Sequence, residues 1–223
     1  MREPLWTDLL NDEARQVAEL LATALPSPLH TLGLEGVRDF AAPQPPTQTT
    51  AMAVVRDHLA GEPAARIREY RPVEGGTTPA VLYVHGGGFT AGSLDGVDEL
   101  CPRIAAQTDC TVFSLEYRLA PENPYPATLG DVRAAWAWLI EHPTSLDVDP
   151  YRVAVAGDSA GGGLVAPLCL DLRERGCRQP VLQVLASPQS TTPSCARPGP
   201  SSRTPPAGIR GREVVLAAVR RRG

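Results

Sequence analysis

Residues 151–170 have the sequence YRVAVAGDSAGGGLVAPLCL, and this stretch decides the fold. Its first eight residues form a Val-rich apolar run that predicts a buried β-strand, and residues 160–175 predict an α-helix. At the junction, Gly157-Asp158-Ser159-Ala160-Gly161 fits the pattern G-x-S-x-G. Small residues beside the serine permit the sharp strand-to-helix turn that lifts a nucleophilic hydroxyl clear of the backbone. Alone the pattern is weak, because glycine-rich turns of this kind are more often packing devices or phosphate-binding loops.

A second motif lies upstream, where His85-Gly86-Gly87-Gly88-Phe89 follows the apolar run PAVLYV of residues 79–84. Three glycines after a buried strand allow backbone N–H groups to turn towards a neighbouring cavity. In an acyl-transfer site, such groups donate to the oxyanion that forms when a serine attacks an ester carbonyl. The alternative is a flexible glycine loop behind a core histidine. It is disfavoured because the serine turn follows downstream in a matching context.

The surrounding chain alternates apolar runs with helical patterns. Strands are expected at residues 64–72, 79–87, 110–118, 151–158 and 180–187, and helices at residues 94–108, 126–142 and 160–175. This alternation predicts right-handed crossovers and a mostly parallel sheet with helices on both faces. Ahead of it, apolar residues between Leu5 and Ala24 recur at helical spacing and predict a helix packed on the main body, and a Pro-rich linker occupies residues 41–50.

The composition excludes several classes of protein. The net charge of −4 provides no basic field for nucleic acid, and no stretch approaches the roughly 18 apolar residues of a membrane span. The charged N-terminal segment does not resemble a secretory signal, so a cytoplasmic location is expected. Five cysteines without a C-x-x-C pair indicate neither a disulfide framework nor a zinc site, and no metal is expected.

Three motifs in order, HGGGF at 85–89, YRLAPE at 117–122 and GDSAGG at 157–162, together resemble the hormone-sensitive-lipase-like carboxylesterases, a branch of the α/β-hydrolase superfamily. The resemblance implies an α/β-hydrolase fold with an N-terminal helical cap, and hydrolysis of short or medium acyl esters without a cofactor. A small-molecule acyl ester is therefore the expected partner, and the oligomeric state is left open.

The resemblance also implies roles for single residues. Ser159 matches the family nucleophile. The backbone N–H groups that match the oxyanion hole are those of Gly87, Gly88 and Ala160, and the residues expected to support the motifs are His85, Gly86, Gly157, Asp158 and Gly161. Residues 117–122 are expected to buttress the glycine loop without taking part in the chemistry.

The acid and base of a serine hydrolase are missing from their expected places. The serine needs a histidine as base and a carboxylate to orient it, and on this fold they follow in the order serine, acid, histidine. The histidines are His30, His58, His85 and His142, all upstream of the serine, and the carboxylates beyond it are Asp171, Glu174 and Glu213. Only His30 has a plausible route to the pocket, and a structural role is favoured for it. Asp171 and Glu174 are expected to be solvated helix residues.

The composition changes near the end of the chain. Residues 1–180 contain 24 acidic residues and 14 arginines, whereas residues 181–223 contain seven arginines and the single acid Glu213. Residues 188–206 are dominated by Pro, Ser, Thr and Gly, which predicts disorder. The resemblance is therefore expected to end near residue 187, through a frameshift or a truncation. Translation of the other two reading frames beyond codon 187 tests this hypothesis.

The expected organisation has three parts. Residues 1–45 form N-terminal cap helices, residues 46–187 an α/β-hydrolase core that lacks its last strands, and residues 188–223 a disordered tail. The strand at 180–187 would then be an unpaired sheet edge, which predicts poor solubility.

Three functions remain open for the chain. The first is an ester hydrolase by descent, with little or no activity because the acid and the histidine are absent. The second is a ligand-binding protein on the same scaffold, as in the plant gibberellin receptors of this family, which lack the catalytic histidine. The third is a non-functional product.

Overall fold

The computed structural model describes residues 11–24, 31–62, 64–189 and 214–218. The chain divides into two compact units, Met1–Phe40 and Ala41–Gly223. The boundary between these units follows Phe40, before the Pro-rich linker. The end predicted from the sequence for the N-terminal part is residue 45. The linker belongs to the second unit because the backbone N–H and hydroxyl of Thr47 both donate to the Glu99 carboxylate, at 2.9 and 3.0 Å.

In its described residues, 11–24 and 31–40, the first unit forms α1 (Asp12–Ala24) and α2 (Gly33–Phe40). The Asn11 side chain accepts a hydrogen bond from Ala14 N–H at 2.8 Å and caps the start of α1. The helix expected from residue 5 is confirmed only from Asp12 onward, since residues 1–10 lie outside the described part of the chain, as does His30. Val17 and Leu20 of the predicted apolar stripe are more than half exposed, so the stripe is not buried at these two positions.

The second unit is built on a seven-stranded sheet in the described residues, with the strand order β1-β2-β4-β3-β5-β6-β7. Its strands are β1 (Val54–Ala60), β2 (Ala65–Arg71), β3 (Thr78–Val84), β4 (Thr111–Glu116), β5 (Val148–Asp158), β6 (Leu182–Ala186) and β7 (Val214–Ala218). The four central strands, β4, β3, β5 and β6, are parallel, whereas β1, β2 and β7 pair antiparallel with their neighbours.

Helices cover both faces of this sheet, which confirms the predicted α/β-hydrolase fold. They are α3 (Leu100–Thr108), preceded by a 3-10 turn at Asp95–Val97, α4 (Ala127–Glu141) and α5 (Ala160–Glu174). Successive residues of β3 point to opposite faces. Leu82 and Val84 join the core formed with α4 and α5, while Val81 and Tyr83 join a smaller core formed with α3.

Strand β1 was not expected from the sequence, because charged and polar residues interrupt its apolar pattern. It pairs with β2 along its whole length, from Val54 opposite Arg71 to Ala60 opposite Ala65. His58 fixes this pairing, since its Nε2 lies 2.8 Å from the buried carboxylate of Glu69.

The expectation that the strand at 180–187 forms a sheet edge is wrong. Strand β7 pairs antiparallel with β6, from Leu182 opposite Ala218 to Ala186 opposite Val214. The backbone N–H and C=O groups of β6 require partners, and the short apolar run VVLAA supplies them. Residues 188, 189 and 214–218 are thus ordered parts of the predicted tail, and the other residues of that tail lie outside the described part of the chain.

Candidate active site

Ser159 lies between the end of β5 and the start of α5, in the strand-to-helix turn expected from the sequence. Its backbone has φ +47° and ψ −116°, a conformation that a non-glycine residue adopts only under strain. Hydrogen bonds hold it there: Ser159 N–H donates to the Ala186 carbonyl at 2.9 Å, and its own carbonyl accepts from Gly163 and Gln189 at 3.0 and 2.8 Å. The turn is therefore fixed from both sides of the serine.

Glycines bring the end of β3 against this turn. A Cβ atom on Gly161 would overlap the carbonyl oxygen of Val84, and one on Gly157 would lie 2.6 Å from the carbonyl carbon of Gly161. Only glycine fits at these positions, because both obstacles are backbone atoms. The close approach places the glycine loop that follows β3 beside Ser159.

The glycine loop has an unusual backbone over Gly87, Gly88 and Phe89, with φ values of +125°, +62° and +65°. A Cβ on Gly87 would overlap the carbonyl oxygen of Ala91, so this position requires glycine for both its conformation and its space. The Phe89 carbonyl is held by Ala120 N–H at 2.9 Å. The loop is therefore a rigid structure and not a flexible tether.

Carbonyl partners set the direction of the N–H groups in this loop. The Gly86 carbonyl lies 2.7 Å from Nδ1 of His85, and the Gly87 carbonyl accepts from the N–H groups of Thr90 and Ala91. In a trans peptide the C=O and N–H groups point in opposite directions. The N–H groups of Gly87 and Gly88 therefore face away from these partners, as oxyanion donors need to do.

His85 is a buried part of the loop. Since the Gly86 carbonyl can only accept, Nδ1 carries the proton, and Nε2 has no hydrogen-bond partner among the described residues. The ring stacks on Tyr117 with centroids 4.3 Å apart, and burial lowers the pKa of His85. These contacts place His85 within the glycine loop, and its supporting role stays a prediction.

The YRLAPE segment supports the loop from behind. Tyr117 Oη donates to the His85 carbonyl at 2.9 Å, and Arg118 forms an ion pair of 2.7 Å with the fully buried Asp131. Hydrogen bonding to Asp131 raises the pKa of Arg118. These contacts match the buttressing role expected for residues 117–122.

Tyr83 is a site residue that the sequence reasoning missed. Its hydroxyl donates to Oδ1 of Asp158 at 2.7 Å, and the same oxygen accepts from Gly86 N–H at 2.9 Å. Period-2 alternation places Tyr83 on the same face as Val81, and this pattern alone indicated a core residue. Its partner lies 75 positions away in the chain, so no local signal could reveal the contact.

A cavity of about 740 Å³ opens beside Ser159 in the second unit. The glycine loop forms one side through Gly86 and Gly87, and Val97 and Leu100 add an apolar wall. Two expected oxyanion donors, Gly88 and Ala160, flank residues of this lining. A small neutral molecule fits a cavity of this size and chemistry.

The described histidines have contacts with groups other than Ser159. His142 Nδ1 lies 2.9 Å from the Trp138 carbonyl, and His58 and His85 have the partners given above. Asp171 forms ion pairs with Arg133 and Arg175, both at 2.9 Å, and its side chain is 16% exposed, so it is largely covered rather than solvated as expected. Glu174 lies on the same helix, and Glu213 lies outside the described chain.

No group of three or more His, Cys, Asp and Glu side chains in the described ranges could hold a metal ion. None of the helices described there is long and apolar enough to cross a membrane. Cys101, Cys110, Cys169 and Cys177 are free thiols.

Comparisons with known proteins agree with this geometry. The alpha/beta hydrolase fold family matches residues 81–212. The match runs to residue 212, beyond residue 187, near which the resemblance was expected to end. Carboxylic ester hydrolase LipN from Mycobacterium tuberculosis is 46% identical over 135 residues, which are 57% of this chain and 36% of LipN.

Ethyl acetate hydrolase from Pseudomonas putida is 41% identical over 136 residues, which are 59% of this chain and 42% of that enzyme. The solved structure of ester-hydrolase EH1AB1 from the metagenome of Lake Arreo has 34% identity and a TM-score of 0.69, over 78% of this chain and 58% of that one. The chain spans less than half the length of the two enzymes, LipN and ethyl acetate hydrolase.

Proposed function

The chain belongs to the hormone-sensitive-lipase-like carboxylesterases of the alpha/beta hydrolase superfamily, and from this premise we propose that its site is built to hydrolyse carboxylic esters with Ser159 as nucleophile. Ser159 Oγ attacks the ester carbonyl carbon, the alcohol leaves, and water then releases the acid from the acyl-serine. The N–H groups of Gly87, Gly88 and Ala160 stabilise the oxyanion of each tetrahedral intermediate. The observation that carries the proposal is the strained serine beside a rigid glycine loop in one cavity.

The proposed substrate is a small neutral ester with a short or medium acyl chain. Val97 and Leu100 offer apolar surface to the acyl or alcohol group, and the cavity lining contains a single charged residue, Asp158. That carboxylate already accepts two hydrogen bonds. The proposal needs no cofactor, since the chemistry is acyl transfer, and a cytoplasmic location stays a prediction.

We expect low activity from the 223-residue chain itself. A serine hydroxyl is a poor nucleophile until a base accepts its proton. Among the described histidines, His58 and His142 contact other groups and His85 Nδ1 is bound to the Gly86 carbonyl, so Ser159 lacks such a base there. Added imidazole can serve as that base because it is small enough for the 740 Å³ cavity.

Hydrolysis of 4-nitrophenyl acetate by the parent, Ser159→Ala and Ser187→Ala tests the proposal, with and without imidazole. Because imidazole itself attacks this ester, the rate without protein is subtracted at each imidazole concentration. Ser187 is the matched control, because it lines the same cavity. Without imidazole the three proteins should be alike; with it, the parent and Ser187→Ala should exceed Ser159→Ala. Equal rates in imidazole would contradict a nucleophilic Ser159, and Ser159-dependent turnover without imidazole would overturn the expectation of low activity.

A ligand-binding protein without catalysis is the second candidate. The observation in its favour is that none of the histidines in residues 31–62 and 64–189 bonds the Ser159 hydroxyl. A fluorophosphonate probe separates the two, because labelling at Ser159 requires an activated serine. An unlabelled chain whose melting temperature rises with a small ester or acid would favour the binding protein, and an unlabelled chain without such a ligand would favour a non-functional product.

A further inference from the structure

Tyr83 lies at the end of β3, two residues before the glycine loop. Its side chain is 4% exposed and belongs to the core between the sheet and α3. Its hydroxyl reaches Oδ1 of Asp158, the residue immediately before the nucleophile, at 2.7 Å. Ester hydrolysis as proposed above uses neither the phenol nor the carboxylate, so this buried polar pair needs its own explanation.

The pair acts on one peptide group, the one that joins His85 to Gly86. Gly86 N–H donates to Asp158 Oδ1 at 2.9 Å, and on the other side of the same peptide the His85 carbonyl accepts from Tyr117 Oη at 2.9 Å. The peptide plane is therefore held at both ends. The peptides that carry the Gly87 and Gly88 N–H groups follow this plane directly. Their carbonyl partners restrict the torsions between the planes, so a rotation of the first plane displaces those N–H groups.

A hydrogen bond from Tyr83 is needed to hold Asp158 in place. The terminal torsion of an aspartate is broad, so the carboxylate can rotate away from Gly86 unless another donor fixes it. Oδ1 is the oxygen that both donors share. Without the Tyr83 phenol, Asp158 Oδ1 would keep one of these two hydrogen bonds, the one from Gly86 N–H.

We propose that Tyr83 is a positioning residue of the oxyanion hole, whose hydroxyl fixes the Asp158 carboxylate and through it the His85–Gly86 peptide. The proposal deepens the function proposed above and rests on it. Tyr83 and Asp158 both line the cavity beside Ser159. The proposed effect of Tyr83 on the N–H groups of Gly87 and Gly88 passes through Asp158 and Gly86.

Tyr70 provides a matched control on strand β2, which β4 separates from β3 in the sheet. It is 1% exposed, belongs to the same core, and donates to an aspartate, Asp98, at 2.5 Å. Burial and the aspartate raise the pKa of both phenols. Tyr70→Phe therefore removes the same chemical group from the same kind of environment, but its aspartate does not bind the glycine loop.

The test measures the Gly86 amide directly in the full chain. Gly86 is the single glycine of the chain that follows a histidine, so labelling with ¹³C′-histidine and ¹⁵N-glycine selects its amide in an NMR spectrum. Hydrogen exchange and chemical shift of this amide are compared in the parent, Tyr83→Phe and Tyr70→Phe. Urea unfolding of each protein corrects the exchange rates for global stability.

Tyr83→Phe should speed exchange of the Gly86 amide about fivefold and move its proton shift upfield, because the hydrogen bond to the carboxylate weakens. Tyr70→Phe should leave both at the parent values. Parent-like exchange in Tyr83→Phe, or equal changes in both variants, would overturn the proposal. The readout does not involve ester turnover. Failure of the imidazole experiment would therefore count against the proposed function, whereas an unchanged Gly86 amide would count against Tyr83.

Discussion

Ser159 is held in a backbone conformation that glycine adopts more easily than serine. Its φ of +47° and ψ of −116° match the first central position of a type II′ turn, where glycine dominates. Such strain costs about 1–3 kcal/mol and persists because the surrounding hydrogen bonds determine the turn. The proposed nucleophile is thus held in position at the expense of stability.

Replacing this serine should therefore change stability in a direction set by the backbone. In Ser159→Gly, relief of the strain stabilises the folded chain, whereas the greater chain entropy of glycine costs about 0.5–1 kcal/mol. We therefore expect the free energy of unfolding of Ser159→Gly to exceed that of Ser159→Ala by about 1 kcal/mol. The alanine variant keeps a Cβ and the strain. Urea unfolding of both variants measures the difference. A glycine variant that is less stable than the alanine variant would show that the turn is not strained.

His85 predicts a pH dependence of stability. Burial lowers its folded pKa below the ordinary value of 6.5, so below pH 6.5 the unfolded chain binds a proton that the folded chain does not. Stability should therefore fall as the pH drops below 6.5, by at most about 1.4 kcal/mol per pH unit, and be unaffected by this group above it. His85→Asn keeps a side-chain N–H donor but cannot titrate. Unfolding curves between pH 5 and pH 8 should lose this slope in the variant, and an unchanged slope would exclude His85 as its source.

The contact between β3 and α5 brings the glycine loop and Ser159 together in the candidate active site. Gly161 makes it possible, because its missing side chain leaves room for the backbone oxygen atoms of Val84 and His85. The obstacle is rigid backbone, so a side chain there has to separate the strand from the helix.

Gly161→Ala should therefore destabilise the protein by about 3 kcal/mol, the upper end of the range typical of core overpacking. Gly130→Ala in α4 is the matched control, since a Cβ there meets no atom within 4 Å. It should stabilise the chain by about 0.5–1 kcal/mol, because alanine favours helix. Thermal or urea unfolding compares the two. Similar effects of both substitutions would show that the close approach is absent in solution.

The elements that the sequence revealed are those with continuous apolar runs. Strands β2 to β6 and helices α3 to α5 each have such a run or a periodic face, and the motifs placed Ser159 and the glycine loop side by side. Strand β1 was not predicted because Arg56, Asp57 and His58 interrupt its apolar pattern, although it pairs with β2 in the structure. The role of Tyr83 was not predicted because its contact with Asp158, 75 residues away, depends on the order of strands in the sheet, which no local sequence pattern encodes.

Strand β7 covers the edge of the sheet that β6 would otherwise expose. Ending the chain after residue 212 removes β7 and uncovers the backbone groups of β6, so we expect association through this edge. Ending it after residue 218 keeps the strand and serves as control. Light scattering at increasing protein concentration distinguishes them. Equal scattering from both would mean that β7 does not protect β6.

The order of the strands also governs when the site can form during synthesis. The Gly86 amide binds the carboxylate of Asp158, which lies 72 residues further along the chain. Asp158 ends β5, so β3 can pair with β5 only after that strand has been synthesised. Pairings over such separations form slowly, because a long loop must close first. A nascent chain in which β3 and β4 are complete therefore lacks the hydrogen bond from Gly86 to Asp158, and that bond forms only after the serine turn has left the exit tunnel.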